Sequence, residues 1–396
     1  MEKTVFSNCT YIDIENQKVV PKQAIVINNS HIEYVGDLCN LSPLFLMNSI
    51  TYDLNGKYVL PGFIDAHVHI FEEPDSRLYQ DFSITEDLDI ALDRAINHLE
   101  TMLYSGITAV REMGTIDRRN ILLKNYINNS DQKPELVVCG NPITHSDGHF
   151  VSRCRIVDTD SQMKQAVEDE INAGADFIKI NNTIRVGMPQ HVIETAVKLA
   201  TQLGKFVACH AYTYDAMKAA INSGVRSLEH VAEFDDQLLE EMREKDIIPI
   251  PTFVAAFDSI PSVNPDAKLE ILSQTIPDAK LSDFVEWYNW QVKNLPNLFK
   301  FGIEFGLGTD AGFVPTTFDS IHREMCLLVK LGATPWQVLK AATIGSAKAL
   351  GKEKNIGKIA RGMQADIVIL NEDPIINIKN TKNIYGTVLR GKLFRK

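Results

Sequence analysis

Residues 59–69 read VLPGFIDAHVH, a short apolar run that ends in two histidines one residue apart. Further runs of this kind are ITAVREMG (107–114), ELVVCG (135–140), DFIKI (176–180), FVACHA (206–211), VRSLEH (225–230), IIPIPTF (247–253) and IEFGLGTDA (303–311). Longer stretches of helical period lie between them: over 160–173, Met163, Ala166, Val167 and Ile171 recur at helical spacing. Strand-length runs alternating with helices imply parallel strands with crossover helices, and eight is the number that closes a (β/α)8 TIM barrel. The expected fold class is therefore α/β, with the barrel over 61–352.

Outside those limits the pattern changes. Residues 22–37, KQAIVINNSHIEYVGD, place apolar residues at every second position, the mark of a half-buried sheet. Strand pattern returns in ADIVIL (365–370) and YGTVLRGKLF (385–394). The two chain ends, 1–60 and 353–396, are therefore expected to join in a small β-sandwich. One connection, about 253–302, is longer than the others and long enough to be functional.

The chain has 396 residues, more than the roughly 250–300 that one core fills, so a barrel with an accessory unit fits. With 45% hydrophobic and 23% charged residues, the chain is ordinary for a globular protein. A net charge of -11 argues against general affinity for nucleic acid or anionic membrane. MEKTVFSNCTYIDIENQ at the amino terminus has no apolar core of a signal peptide, and no apolar run reaches membrane-spanning length. Cys9, Cys39, Cys139, Cys154, Cys209 and Cys326 are widely spaced with no C-x-x-C, which suits free thiols in a reducing compartment. The expected location is the cytoplasm; a homo-oligomer is compatible with everything above.

A barrel carries its active site at the carboxyl ends of its strands. His67 and His69 end the first run, Lys179 the fourth, His210 the fifth, His230 the sixth and Asp310 the eighth. In H-x-H on a strand both imidazoles point the same way, so both reach one ion. Imidazole and carboxylate suit zinc and similar divalent metals. A single strand histidine is usually structural, but six suitable residues on one rim are not a chance arrangement.

The segments LPGFIDAHVH, GADFIKI, CHAY, SLEH, GLGTDAG and GKIARGMQADIVIL together resemble the amidohydrolase superfamily, nearest its imidazolonepropionase-related branch of Xaa-Pro dipeptidases and metal-dependent carboxypeptidases. The resemblance implies two divalent metals, zinc by preference: His67, His69 and Asp310 hold one, and His210 and His230 the other. Lys179, as a carbamate, bridges both. Asp310 is then also the catalytic base that passes a proton to the leaving nitrogen. His145, in THSDGHF after the third strand, and Tyr212 are candidate catalytic and substrate-binding residues; His149 and Arg185 are further substrate-binding candidates. Arg111 reads as structural and paired with an acid. Arg153 and Arg155 lie on connections, and Trp287 and Trp290 could line a lid or simply pack.

The expected substrate is a small amide with a free carboxylate, such as a dipeptide or N-acyl amino acid cleaved at its carboxyl-terminal residue. Two alternatives share the superfamily. A deaminase would use one zinc and a glutamate soon after the fifth-strand histidine, absent from HAYTYD (210–215). Imidazolonepropionase, a cyclic-amide hydrolase, resembles a one-metal enzyme without the bridging lysine. A non-catalytic scaffold would typically have lost ligands.

Overall fold

The computed structural model describes residues 3–74, 86–127, 132–148, 150–182, 187–260, 281–313 and 315–395. Its chain begins with β1 (Lys3–Asp13), β2 (Lys18–Asn28), β3 (His31–Asp37), β4 (Ser49–Asp53) and β5 (Tyr58–Pro61). The alternating stretch 22–37 is the antiparallel pair β2–β3, with Ile25 and Ile27 buried against Phe6 of β1 and Ile32 of β3. The run 59–69 is shared between two sheets. It splits at Gly62, where a Cβ would sit 2.3 Å from the Thr108 hydroxyl, so only glycine lets the chain cross there.

Beyond that crossing lie β6 (Phe63–Val68), β7 (Ile107–Glu112), β8 (Glu135–Val138), β9 (Ile143–Thr144), β10 (Arg155–Ile156), β11 (Ile178–Asn181), β12 (Val207–His210), β13 (Ser227–Glu229) and β14 (Ile248–Ile250). All their pairings are parallel, in the orders β6-β7-β8 and β10-β9-β11-β12-β13-β14. β6 and β7 are buried at every position, as strands covered on both faces must be. Single backbone bonds carry the pattern further: Asp176 N to Val138 O (2.7 Å), Gly306 N to Pro249 O (3.1 Å) and Ala66 N to Leu307 O (2.9 Å). The arrangement is a TIM-barrel-like α/β fold.

The eighth run, 303–311, departs from expectation: it holds no regular strand, although it lies between β14 and β6 and bridges to β6 at Val68–Ala311. Gly308 is the reason it lies so close. A Cβ there would come within 2.7 Å of His67 Cβ and 2.8 Å of Ile250.

Helices run between the strands as their period predicts. Helix Asp160–Ala173 matches its expected limits, with a Thr159–Gln162 capping box at its start and Gly174 in the left-handed conformation at its end. Among the described residues the long connection contributes two helices, Phe253–Asp258 and Leu281–Phe301. β15 (Ile367–Leu370), β16 (Ile384–Leu389) and β17 (Lys392–Phe394) then return to the first sheet, β15 pairing antiparallel with β5. The chain ends thus share one eight-stranded sheet with its own core of Phe6, Ile25, Val59, Ile367 and Val388. Among the described residues no helix is long and apolar enough to cross a membrane.

Candidate metal centre

Asp310 stands at the centre of the histidines. Its Oδ1 lies 3.3 Å from Nε2 of both His67 and His69, and its Oδ2 lies 4.0 Å from Nδ1 of His230. The ring centroids of His67 and His230 are 4.5 Å apart, and those of His210 and His230 are 4.6 Å apart. Among the described residues, His67, His69 and Asp310 form a group whose ligand atoms could hold one metal ion. Lys179, on β11, is buried, and Asp310, Glu229 and His230 all feel its charge. The structure therefore brings all six residues singled out in the sequence into one neighbourhood.

Hydrogen bonds fix which nitrogen His67 and His230 offer. His67 Nδ1 lies 2.9 Å from Glu229 Oε2, an ionised acceptor, so it carries the hydrogen. Its Nε2 is buried with no hydrogen-bond partner among the described residues, which leaves a lone pair available to a cation. At His230 the argument has one more link. Thr252 Oγ1 donates to Pro251 O at 2.7 Å, so it must accept from His230 Nδ1, also at 2.7 Å. That leaves Nε2 as the nitrogen that carries the lone pair. Tying off the remote nitrogen in this way orients a metal-binding histidine and sets its tautomer. The donor set therefore fits divalent metal.

Burial governs the charges. It pushes the His230 pKa well below the usual histidine range, leaving the neutral imidazole a metal needs, and it pushes the Lys179 ammonium down. Burial alone would raise the Asp310 pKa, but the imidazoles around it, His67 foremost, hold that carboxyl well below the usual range. Glu229 follows the same logic: burial opposes ionisation, and Arg111 and His67 overcome it. His230 (φ 68°), Asp310 (φ 60°) and Thr252 (φ 50°) all adopt the left-handed backbone region, where strain concentrates at functional sites.

Some of these contributors were not singled out in the sequence. Glu229 joins His67 to the wholly buried Arg111 (2.8 Å), which confirms Arg111 as a structural residue paired with an acid. Its signal was available, since a charged residue inside an apolar strand run needs a partner. Asp65, two residues before His67, accepts from Thr309 N (3.0 Å) and Oγ1 (2.7 Å), tying β6 to the run that carries Asp310; burial pushes its pKa up to about 7. Thr252 had no signal, because its partner lies 22 residues away.

The substrate candidates are placed as follows. His145 follows β9 on the same rim and is buried; its Nδ1 accepts from Asp147 N (3.3 Å), which leaves Nε2 as the N–H, without a partner among the described residues. Tyr212 is buried 5.6 Å from the His210 ring, centroid to centroid. Trp287 and Trp290 flank it at 6.2 and 6.4 Å. His149 and Arg185 lie outside the described residues. Arg153 and Arg155 pair with Glu72 (3.0 Å) and Asp169 (2.7 Å).

The amidohydrolase family model matches residues 58–394, from β5 to the last strand. The chain belongs to the amidohydrolase family. That family is generally metal-dependent. Ochratoxinase of Aspergillus niger is 27% identical over 262 residues, 61% of this chain and 50% of that protein; the chain thus spans about half the length of the first curated relatives it matches. A 5-methylthioadenosine/S-adenosylhomocysteine deaminase of Caldicellulosiruptor saccharolyticus is 21% identical over 429 residues, 98% of this chain and 92% of that one. The crystal structure of a Xaa-Pro dipeptidase with methionine bound in its active site superposes with a TM-score of 0.86 at 24% identity, covering 100% of both chains. That last likeness concerns the fold.

Proposed function

We propose that this amidohydrolase is a binuclear enzyme that cleaves the amide bond of a dipeptide or N-acyl amino acid at its carboxyl-terminal residue. In this reading His67, His69 and Asp310 hold one ion, His210 and His230 hold the other, and Lys179 bridges them as a carbamate. The convergence of His67, His69 and His230 on Asp310, with His210 beside His230 and with His67 and His230 each offering Nε2, is the observation that carries it. An ammonium cannot ligate a cation, whereas a carbamate on Lys179 presents two anionic oxygens. We further assign a closed (β/α)8 barrel over 61–352, a β-sandwich from 1–60 and 353–396, zinc as the metal and a cytoplasmic location. The ring of backbone bonds through Asp176, Gly306 and Ala66 supports the barrel, and the free thiols support the compartment.

When bound, a pair of divalent ions supplies Lewis acidity, polarising the scissile carbonyl and making water nucleophilic near neutral pH. Asp310 takes the proton of the attacking water and delivers it to the leaving nitrogen, because an amide anion is a poor leaving group. His145, with a buried Nε2–H seeking an acceptor, donates to the developing oxyanion, and Tyr212 orients the acyl side. His149 and Arg185 are our candidates for the substrate carboxylate, which needs charge-assisted bonds to offset its lost hydration. The named relatives support this choice: ochratoxinase in sequence, and a Xaa-Pro dipeptidase in fold. Likeness to the deaminases raises a second reading, but Lys179 has no task in a one-metal deaminase.

The test is hydrolysis of dipeptides and N-acyl amino acids by zinc-loaded protein, each as the free acid and as the carboxyl-terminal amide. The free acids should show the higher kcat/KM by about tenfold or more, the worth of one charge-assisted hydrogen bond. Equal values for the two forms would sink carboxylate recognition and favour a neutral or cyclic amide.

A further inference from the structure

Helix Leu281–Phe301 lies in the one long connection of the chain, and three of its polar side chains do the same unusual thing. Trp287 Nε1 donates to the backbone oxygen of His230 (3.3 Å), Gln291 Nε2 to that of Val231 (3.1 Å) and Asn294 Nδ2 to that of Ala232 (2.7 Å). Positions 287, 291 and 294 share one face of the helix. They satisfy in order the three carbonyls that follow β13, where the strand ladder has ended. These carbonyls include that of His230 itself, whose left-handed backbone needs external support to persist.

Gln291 does more than its neighbours. Its amide nitrogen also donates to Pro251 O at 2.6 Å, so one wholly buried side chain joins the segment after β13 to the segment after β14. Pro251 O in turn accepts from Thr252 Oγ1, which accepts from His230 Nδ1. Gln291 thus holds the backbone one residue beyond His230 and also Pro251 O, the acceptor that fixes the Thr252 hydroxyl facing the His230 ring. The amide cannot be reversed, because its oxygen would then face two carbonyls. That oxygen is buried with no partner among the described residues. Filling the space requires no such arrangement: a methionine of similar length would pack without stranding a polar atom.

We propose that Gln291 is a positioning residue that holds His230 in its Nδ1-protonated form and in its left-handed backbone, so that Nε2 stays presented to the metal. The helix that carries it acts as a clamp on this ligand. The inference rests on the reading of His230 as a ligand, but the positioning can be observed without metal.

The experiment uses full-length Gln291→Met and, as a milder change that spares the core, Trp287→Phe, which removes only one donor. In metal-free protein labelled with 15N in the histidine rings, the His230 signals are assigned by their loss in His230→Gln. Wild type should show a single Nδ1-protonated tautomer, and Gln291→Met a mixture of tautomers. Zinc titration against a chelator should then show one of two equivalents weakened by about 10–100-fold, the cost of losing an outer-shell partner, with the other unchanged. Trp287→Phe should move both readouts in the same direction and by less. An unchanged tautomer and unchanged zinc affinities, even with a lower Tm, would overturn the proposal and leave Gln291 a packing residue. Equal weakening of both equivalents would also overturn it, because His230 is the one proposed ligand that the clamp bonds. Wild type binding one zinc while the tautomer still responds to Gln291→Met would retain the positioning and reject the binuclear reading instead.

Discussion

Lys179 is the residue on which the two-metal reading depends, since the histidines and Asp310 could serve one ion without it. It is buried between the charges of Glu229 and Asp310, on a strand where every neighbour is also buried. An ordinary lysine in that position would repel the metals its neighbours collect. Lys179→Ala should therefore lose about 100-fold or more in kcat/KM, since even outer-shell losses at metal sites cost 10–100-fold. Its zinc content should fall as well, and short carboxylic acids that replace the missing oxygens should restore part of the activity. Native activity with native zinc content in that variant would end the carbamate reading. Glu229 illustrates the opposite case, a residue whose task is already visible in its bonds. It accepts from His67, Arg111 and Ser227 at 2.9, 2.8 and 2.6 Å, so it orients the His67 imidazole from within the core.

At the scale of elements, the strands and the polar residues at their ends were legible because burial on both faces writes a continuous apolar run, and a polar residue at its end stands out. Helix Asp160–Ala173 was legible down to its limits because its cap, its period and its terminal glycine agree. The eighth run was legible as a place in the fold but not as a conformation. Its glycines are demanded by His67 and Ile250, residues distant in sequence, and such close approaches leave no periodic trace. The clamp formed by Trp287, Gln291 and Asn294 was hidden for a related reason, since polar residues on a helix normally face water. Gly308 gives this argument a measurable form. An alanine there meets His67 Cβ at 2.7 Å and Ile250 at 2.8 Å, so the run must move away from β6 and take Asp310 with it. Overpacking of this kind costs about 1–3 kcal/mol. Gly308→Ala should unfold at correspondingly lower urea concentration and bind zinc more weakly, and a variant matching wild type in both would show that the run has slack.

At the scale of the whole molecule, the sheet built from both chain ends must stay attached to the parallel strands, and His322 sits at that junction. It lies on helix Ile321–Lys330, its Nδ1 is 3.2 Å from Thr381 Oγ1 in the carboxyl-terminal part of the chain, and its ring packs edge-on to Phe63 at the start of β6. Burial pushes its pKa down from 6.5 to about 4, with Asp319 opposing and Lys382 assisting. The unfolded chain therefore takes up a proton near pH 6.5 that the folded chain refuses until near pH 4, so between these values the unfolded state binds more protons and stability rises with pH. The contribution is complete above pH 6.5 and is lost as pH falls through the window, by roughly 3 kcal/mol at most, from the 1.36 kcal/mol that each pKa unit represents. His322→Gln keeps a polar partner for Thr381 but cannot take up a proton. Thermal unfolding of wild type and variant between pH 4.5 and 7.5 should show the Tm of the wild type falling more steeply below pH 6.5, by a few degrees over the window. Parallel curves would mean that His322 is protonated in the folded protein and that the junction is held by other groups.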